Sequence, residues 1–583
     1  MSRQTEKSKW LVLGTVCVAL FMVNLDGNVV NLAMPTIIRQ FHATLSQMEW
    51  ISNAYLLTFA VFLITLGRLG DEIGRRRMLL AGLVGFTVGS ALCGSAQNVG
   101  QLIAFRVLQG IGGSAMMPAT LSLITASFPL RERGRAMGFW GAASGLAFVM
   151  GPIIGGWLTQ SGLGPALNAL LGIADNWRCV FYVNVPFGAL SLLAALAFVP
   201  ESRDEEARRR LDVGGVALAS LAVFLLTWGF IEGGRLGWLH PSRPLVVGGH
   251  EVAPFGLSVV PLCFLLAAGL GAAFVLYEKS RTADPLVDLS LFRNRNYSVG
   301  LFTGVILSFG LMGATFILPL YCQAVLGIDP VHTGTLMLPF ALALLVSSPV
   351  AGVLSDRVGA KAVLVTGLIV LALSYLVIAR FRVDTRGPET ILPFVVMGIG
   401  MGLSMTPLTN MTLYGVPAAK SGGASGILST MRQTGAVMGV AILGLVLQSA
   451  MASAVGAHAR QIAGLPPAAQ QALVRYVRQG GVYGMPDNGP GGLAAQLGSA
   501  LSSPGVGASI DGVMKQSFTD GVNDTFRVAA FIGAGTVLVS LLMTRIGRRR
   551  EPDRSTTDPS EGFGPAAAGA SLPEMDQPGT PAA

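Results

Sequence analysis

The sequence predicts an all-α integral membrane protein of fourteen membrane-spanning helices, and three observations carry that expectation. Of the 583 residues, 52% are hydrophobic and 12% charged, roughly half the ~25% charge of an ordinary soluble domain. The apolar residues are gathered into runs of about 20, the length a helix needs to cross a bilayer. Lys and Arg crowd into alternate loops between those runs.

The runs fall near 10–34, 49–69, 78–97, 101–127, 135–159, 178–199, 213–234 and 255–277, then 297–322, 333–354, 362–380, 390–413, 423–452 and 526–546. The first follows Arg3, Lys7 and Lys9 and superficially resembles a secretory signal. No small-residue cleavage site follows, and the run continues through Asp26 to Pro35, so it reads as the first span. Residues 453–525 read as an external loop with a short helix near 467–478, and residues 551–583 as a disordered Pro/Gly/Ala tail.

An even number of spans puts both ends of the chain on one side. Of the 40 Lys and Arg residues, 26 lie in the leader, loops and tail of that side, 12 lie opposite, and Arg106 and Arg432 lie within spans. Positive residues favour the inside, so both termini are expected in the cytoplasm. The same placement makes the net charge of +9 a matter of topology rather than nucleic-acid binding. Five cysteines, all in or beside apolar runs and none as CxxC, give no basis for a disulfide framework or zinc site.

A repeat runs through the chain. Gly67-Arg-Leu-Gly-Asp71-Glu-Ile-Gly74-Arg75 returns 285 positions later as Gly352-Val-Leu-Ser-Asp356-Arg-Val-Gly359, each copy after an even-numbered span. Internal repeats are the usual build of secondary transporters. The expected divisions are 1–200, a first six-helix bundle; 201–296, an inserted pair, spans 7 and 8; 297–550, a second six-helix bundle; and the tail.

Charge inside a membrane costs ~3 kcal/mol on insertion scales, so it marks function or a partner. Asp26 in span 1 is such a charge, suited to bind and release a proton; the bland alternative is a static strut. Asn24, Asn28 and Asn31 share the opposite face of that helix by their spacing. Arg106 in span 4 cannot shed its charge, and its depth differs from that of Asp26 by only about 6 Å, so the two are expected to pair. Arg432 in span 13 is a second buried cation, whereas Glu232 sits near the outer end of span 7 as an interfacial charge. In span 5, Gly151-Pro152-Ile-Ile-Gly155-Gly156 permits close packing and a kink. Asp71 is placed to cap a neighbouring helix N-terminus. The chain has no Gly-x4-Gly-Lys-Ser/Thr loop, HExxH or nucleophile elbow, so neither ATP nor an enzymatic reaction is indicated.

Together these residues resemble the major facilitator superfamily, specifically its fourteen-span drug:proton antiporters, over roughly residues 10–550. Asp26 matches the acid of the first-span motif, with Asn28 in place of the usual Thr. Gly67, Asp71, Gly74 and Arg75 match the motif of loop 2–3, Arg106 and Gly110 that of span 4, Gly151 to Gly156 the exporter motif of span 5, and Asn184 and Pro186 an Asn-x-Pro in span 6. The resemblance implies the major facilitator fold, two six-helix bundles plus an inserted helix pair. It implies Asp26 and Arg106 in proton coupling, and Gly67, Asp71, Gly74, Arg75, Asp356 and Gly359 in a conformational latch. A substrate cavity is expected to draw on Asn24, Asn28, Asn31, Phe139, Trp140, Phe309, Phe316, Tyr321 and Arg432. The implied protein is a monomer of the plasma membrane that exports small apolar or amphipathic molecules, driven by the proton gradient with no cofactor. A dedicated exporter of one metabolite, peptide or lipid is the second reading, and a sensor or scaffold that has kept the fold is the third.

Overall fold

The computed structural model describes residues 6–41, 45–160, 176–202, 212–241, 245–247, 250–252, 256–280, 287–328, 330–417, 420–462, 465–478 and 506–544. The expected disorder of the tail and the residues 479–505 of the external loop lie outside these.

Fourteen long helices follow the expected order. They are α1 Glu6–Phe41, α2 Leu45–Ile73, α3 Arg75–Ser95, α4 Val99–Ser127, α5 Leu130–Gln160, α6 Asn184–Phe198, α7 Val213–Leu236 and α8 Val259–Ser280. The second series is α9 Arg295–Ala324, α10 Pro330–Val358, α11 Ala360–Ile378, α12 Ile391–Thr412, α13 Ser421–His458 and α14 Val506–Ser540. Among the described residues, thirteen are long and apolar enough to cross a membrane. The other, α5, is 31 residues long and runs unbroken through Pro152. Its Pro lacks a backbone donor, but neighbouring groups in a bundle can satisfy the freed carbonyl.

The two series pack alike. In the first, α1 contacts α4, α5 and α6, α2 contacts α4, and α3 contacts α4 and α6; in the second, α9 contacts α12, α13 and α14, α10 contacts α12, and α11 contacts α12 and α14. Glycines set the register of both. A Cβ on Gly112 of α4 would lie 2.3 Å from the backbone nitrogen of Phe86, and one on Gly400 of α12 2.6 Å from that of Leu371. Gly74 (φ 115°) and Gly359 (φ 98°) occupy the same left-handed turn before α3 and α11, a conformation that only glycine adopts without strain. The sequence repeat is thus a structural repeat, and α7 and α8 interrupt it.

Two seams join the halves, α2 against α13 and α5 against α10. They close at the end of the molecule where Gly74 and Gly359 lie, called here the motif end. One apolar cluster there mixes both halves, with Leu63, Ile124 and Met137 meeting Ala424, Ile427 and Leu428. At the opposite end the cores part, one around Leu25, Ile51 and Phe181, the other around Tyr321, Phe340 and Phe518. Lipid tails are as apolar as Leu, so apolar burial alone does not hold such a seal; close backbone approach and polar contacts do.

The inserted pair α7–α8 packs on the outside, where α7 touches α2 and α13. Only 22% and 17% of its most apolar stretches are buried, against 78% in α4, as expected of helices that face lipid. The loop between them carries a two-stranded antiparallel ribbon, Leu245–Val247 with His250–Val252, which the all-α expectation did not include.

The helices on either side of the segment 453–525, expected as an external loop, extend into it. Helix α13 runs to His458 and α14 begins at Val506. Asp511, Lys515, Asp520, Asp524 and Arg527 lower the hydropathy of this stretch and hid it, although Ile510, Met514, Phe518, Val522 and Phe526 make a buried row at spacing four. The short helix Pro467–Arg478 forms as expected and packs on α13.

Candidate functional site

The polar centre of the first half is a closed network. Asp26 is 1% exposed and Arg106 likewise. Arg106 Nη1 donates to Asp26 Oδ2 at 2.5 Å and to Gln109 Oε1 at 2.7 Å. Its Nε donates to the carbonyl of Ile51 in α2 at 3.1 Å, and its guanidinium lies 4.3 Å from the centre of the Tyr55 ring. The second carboxylate oxygen accepts from Gln109 Nε2 at 2.8 Å and from Asn184 Nδ2 at 2.9 Å. Gln109 and Asn184 both also donate to the Ser90 hydroxyl, which in turn donates to the carbonyl of Phe181. Five side chains from α1, α3, α4 and α6 thus bond to one another, with backbone from α2 and from the turn before α6.

Such a pair owes its stability to completeness: stripping one partner from a buried ion pair leaves an uncompensated charge worth ~3–5 kcal/mol. The expected pairing of Asp26 with Arg106 is present. Gln109, Ser90 and Asn184 were not expected at the site. Gln109 follows Arg106 by three residues, so the two share a helix face, which was the available signal. Ser90 offered none.

The second constellation lies at the motif end of the α2–α13 seam. Asp71 is fully buried. Its Oδ1 accepts from Arg75 Nη2 at 2.8 Å and Nε at 3.0 Å, and its Oδ2 accepts from the backbone N–H of Gly423 at 2.7 Å, in the first turn of α13. An acid at a helix N-terminus satisfies orphan donors and the helix dipole together. Arg75 is held from the other side, its backbone N–H donating to the Ser202 carbonyl and its Nη1 to the Ser202 hydroxyl. Gly67 lets Gly426 approach, with a Cβ there only 3.6 Å from the Gly67 Cα.

The second copy differs. Asp356 is exposed and lies beside Gly134 of α5, at 3.4 Å from the position of a Cβ there. Ala360 stands where the first copy has Arg75, so the guanidinium that attracts this acid is that of Arg135 in α5, across the seam. The α5–α10 seam closes instead by backbone: a Cβ on Gly352 would lie 2.5 Å from the Gly134 carbonyl oxygen.

The remaining expected residues scatter. Asn24 donates to Ser144 of α5 at 3.1 Å, on the side away from Asp26; the side chains of Asn28 and Asn31 lie outside the described residues, as do those of Pro152 and Gly156. Gly151 and Gly155 are buried. Trp140 is buried between the halves, donating to Thr120 at 3.1 Å, with the half-buried Arg432 guanidinium 5.8 Å from its ring centre.

Three of the expected aromatics do not reach the cavity of about 530 Å³, Phe309 bordering only a small void of about 20 Å³. Tyr321 is fully buried, its hydroxyl donating to the Arg382 carbonyl and its ring stacked on Phe381. Phe309 is packed into the core of the second half, where Gly439 meets its carbonyl. Phe139 is exposed beside Trp10. Helical spacing cannot tell an aromatic facing a cavity from one filling a core. Glu232 is buried rather than interfacial.

Phe316 does line a cavity, of about 530 Å³, at the end opposite the motif end. Its walls come from α2, α7, α9 and α13, and Val477 of the short helix and Phe518 of α14 also border it.

Comparison with known proteins agrees with this architecture. Residues 16–440 match the family model of the Major Facilitator Superfamily. The chain is 33% identical over 548 residues to the tetracenomycin C resistance and export protein of Streptomyces glaucescens, covering 93% of this chain and 92% of that one. It is 33% identical over 453 residues to the multidrug resistance protein Stp of Mycobacterium tuberculosis, 78% of each. The solved structure of the proton:xylose symporter XylE superimposes with a TM-score of 0.54 at 13% identity, covering 93% of this chain and 97% of that one. With twelve long helices in two matching sets of six, and the family signature across most of its length, the chain belongs to the major facilitator superfamily.

Proposed function

We propose that this membrane protein exports small apolar or amphipathic molecules by alternating access, driven by protons that bind Asp26. It works as a monomer in the plasma membrane with both termini in the cytoplasm, the side to which the 26 loop and terminal cations point. The motif end is then cytoplasmic, and the arrangement is closed inward. Relatives named for antibiotic resistance and export support the direction of transport.

The observation that carries the proposal is the buried Asp26–Arg106 pair, because it joins the helix that holds the proton site to a seam helix. Arg106 grips α1 through Asp26 and α2 through the Ile51 carbonyl and the Tyr55 ring. When Asp26 takes a proton, its charge-assisted bond to Arg106 weakens, and its new O–H needs an acceptor. Asn184 Oδ1 is buried without a partner, so rotation of that amide supplies one. Arg106 then keeps Ile51 and Gln109, and its hold shifts from α1 towards α2. Ile51 and Asp71 lie 20 residues apart on one helix, about 30 Å, so a rigid tilt of α2 carries the change to the Asp71–Gly423 contact. One proton crossing 100 mV supplies ~2.3 kcal/mol for the cycle.

The test is proton movement in everted vesicles holding a pH gradient, challenged with ethidium, N-phenyl-1-naphthylamine and a wider panel. Wild type should release protons on addition of a substrate, and Asp26→Asn should not. Equal proton release by both, or none by wild type with any compound, would overturn the proposal.

A further inference from the structure

The inserted pair α7–α8 has no place in the two-fold plan, yet its first helix builds a wall of the cavity of about 530 Å³. We propose that this cavity is a binding site for uncharged, flat aromatic molecules, with the end of α7 forming its aromatic face and α8 backing it. The inference rests on the transport reading only for the occupant's role as cargo.

The wall is constructed rather than incidental. Phe230 and Trp238 of the α7 end line the cavity, and Phe264 of α8 packs behind both, 4.9 Å from the first ring and 6.5 Å, nearly parallel, from the second. Gly229 and Gly233 make the space. A Cβ on Gly229 would come within 2.7 Å of Phe264, and one on Gly233 within 2.8 Å of Trp238. Trp238 therefore lies flat on its own helix, and α8 is needed to keep it there.

The lining also sets the chemistry. It contains no charged side chain among the described residues, so a cation or anion entering would leave its charge unpaired in an apolar site, at a cost of several kcal/mol. Polarity comes from amides: Asn53 and Gln433 line the cavity, and Gln448 beside them donates to the Val477 carbonyl. Trp238 Nε1 is buried with no hydrogen-bond partner, an unused donor in an aromatic wall. These groups fit carbonyl or hydroxyl substituents on a ring system, and a volume of about 530 Å³ lies in the ~300–1,000 Å³ range of small-molecule pockets. Helix α13 divides this site from the centre of the molecule. Gln433 faces the cavity while Arg432, one residue earlier, faces Trp140 and Met405.

The experiment uses the full chain in lipid nanodiscs and the neutral dye N-phenyl-1-naphthylamine, whose fluorescence rises in apolar sites. Saturable binding above that of empty nanodiscs is expected. Gly444→Trp fills the cavity, since a Cβ at Gly444 meets only Phe316 at 3.9 Å, and should weaken binding about tenfold or more. Gly233→Ala, which displaces Trp238, should weaken it less, and both variants should still be folded, each with a clear melting transition. Ethidium should not compete. No excess binding, equal binding by a stably folded Gly444→Trp, or competition by ethidium would overturn the proposal. So would lipid with brominated acyl chains that quenches Trp238 (read against Trp238→Phe) without relief by the dye, because a lipid tail would then be the occupant. Asp26→Asn should bind the dye normally. Binding lost with proton exchange intact removes the cavity alone, and the reverse removes the coupling reading alone.

Discussion

The two halves share a backbone plan and differ in what fills it. Where the first half has Arg106, Gln109 and Ser90, the register set by Gly112 against Phe86 and by Gly400 against Leu371 puts Phe394, Met397 and Tyr375 in the second, all buried. Helix α9 has no acidic residue at all. One half is built around a buried ion pair, the other around an aromatic and methionine core. The repeated loop motif follows the same division. Asp71 has Arg75 and the α13 N-terminus, whereas Asp356 faces solvent with Ala360 behind it. Duplicated scaffolds can thus keep their packing and hand the chemistry to one copy, because packing depends on small residues at helix crossings while a buried charge demands a complete set of partners.

The largest effect that would sharpen this contrast comes from the buried pair. Arg106→Leu should destabilise the protein by ~3–5 kcal/mol by stranding the carboxylate, and Asp26→Leu added to it should restore the melting temperature without restoring transport. A double variant as unstable as the single one would break the comparison. Asp71→Ala comes next. It removes the cap of α13 and strands Arg75, at a cost of ~1–3 kcal/mol, and should slow transport while leaving substrate binding intact. Transport at the wild-type rate would show that the first latch matters no more than the second.

Gly352→Ala should cost ~1–3 kcal/mol by overpacking the α5–α10 seam, measurable as a lower melting temperature. Smaller still, Ala360→Arg should stabilise by ~0.2–1 kcal/mol as it pairs Asp356 in an exposed place. The smallest effect belongs to Asp288, which pairs with Lys420 at 2.6 Å outside the spans. Burial alone would raise its carboxyl, but hydrogen bonds from Lys420 and Ser290 hold it below the usual range. A depressed pKa means that its contribution is present above the unfolded value and lost as pH falls through the folded one. Asp288→Asn should therefore narrow the loss of stability on acidification, and high salt should mask the difference.

Some of this was legible beforehand. The number of spans, their order and the 285-residue repeat come from hydropathy and from two short motifs, because a bilayer enforces apolar runs of one length. Asp26 and Arg106 stood out because charge is rare in such runs. Gln109 and Ser90 did not, since small polar residues abound in membrane helices whether or not they serve a site. The aromatics misled for a related reason: Tyr321 and Phe309 fill a core, and only Phe316 reaches the cavity.

By itself, then, the sequence determined a membrane-crossing bundle in two related halves with one acid and one guanidinium buried in the first. Local chemistry suffices for that, since insertion cost is charged residue by residue. Which end is sealed, which copy of the latch closes on a helix N-terminus, and what the inserted pair walls in were decided by tertiary structure alone. These depend on contacts between residues hundreds of positions apart, such as Asp71 with Gly423, that no periodicity within a helix encodes.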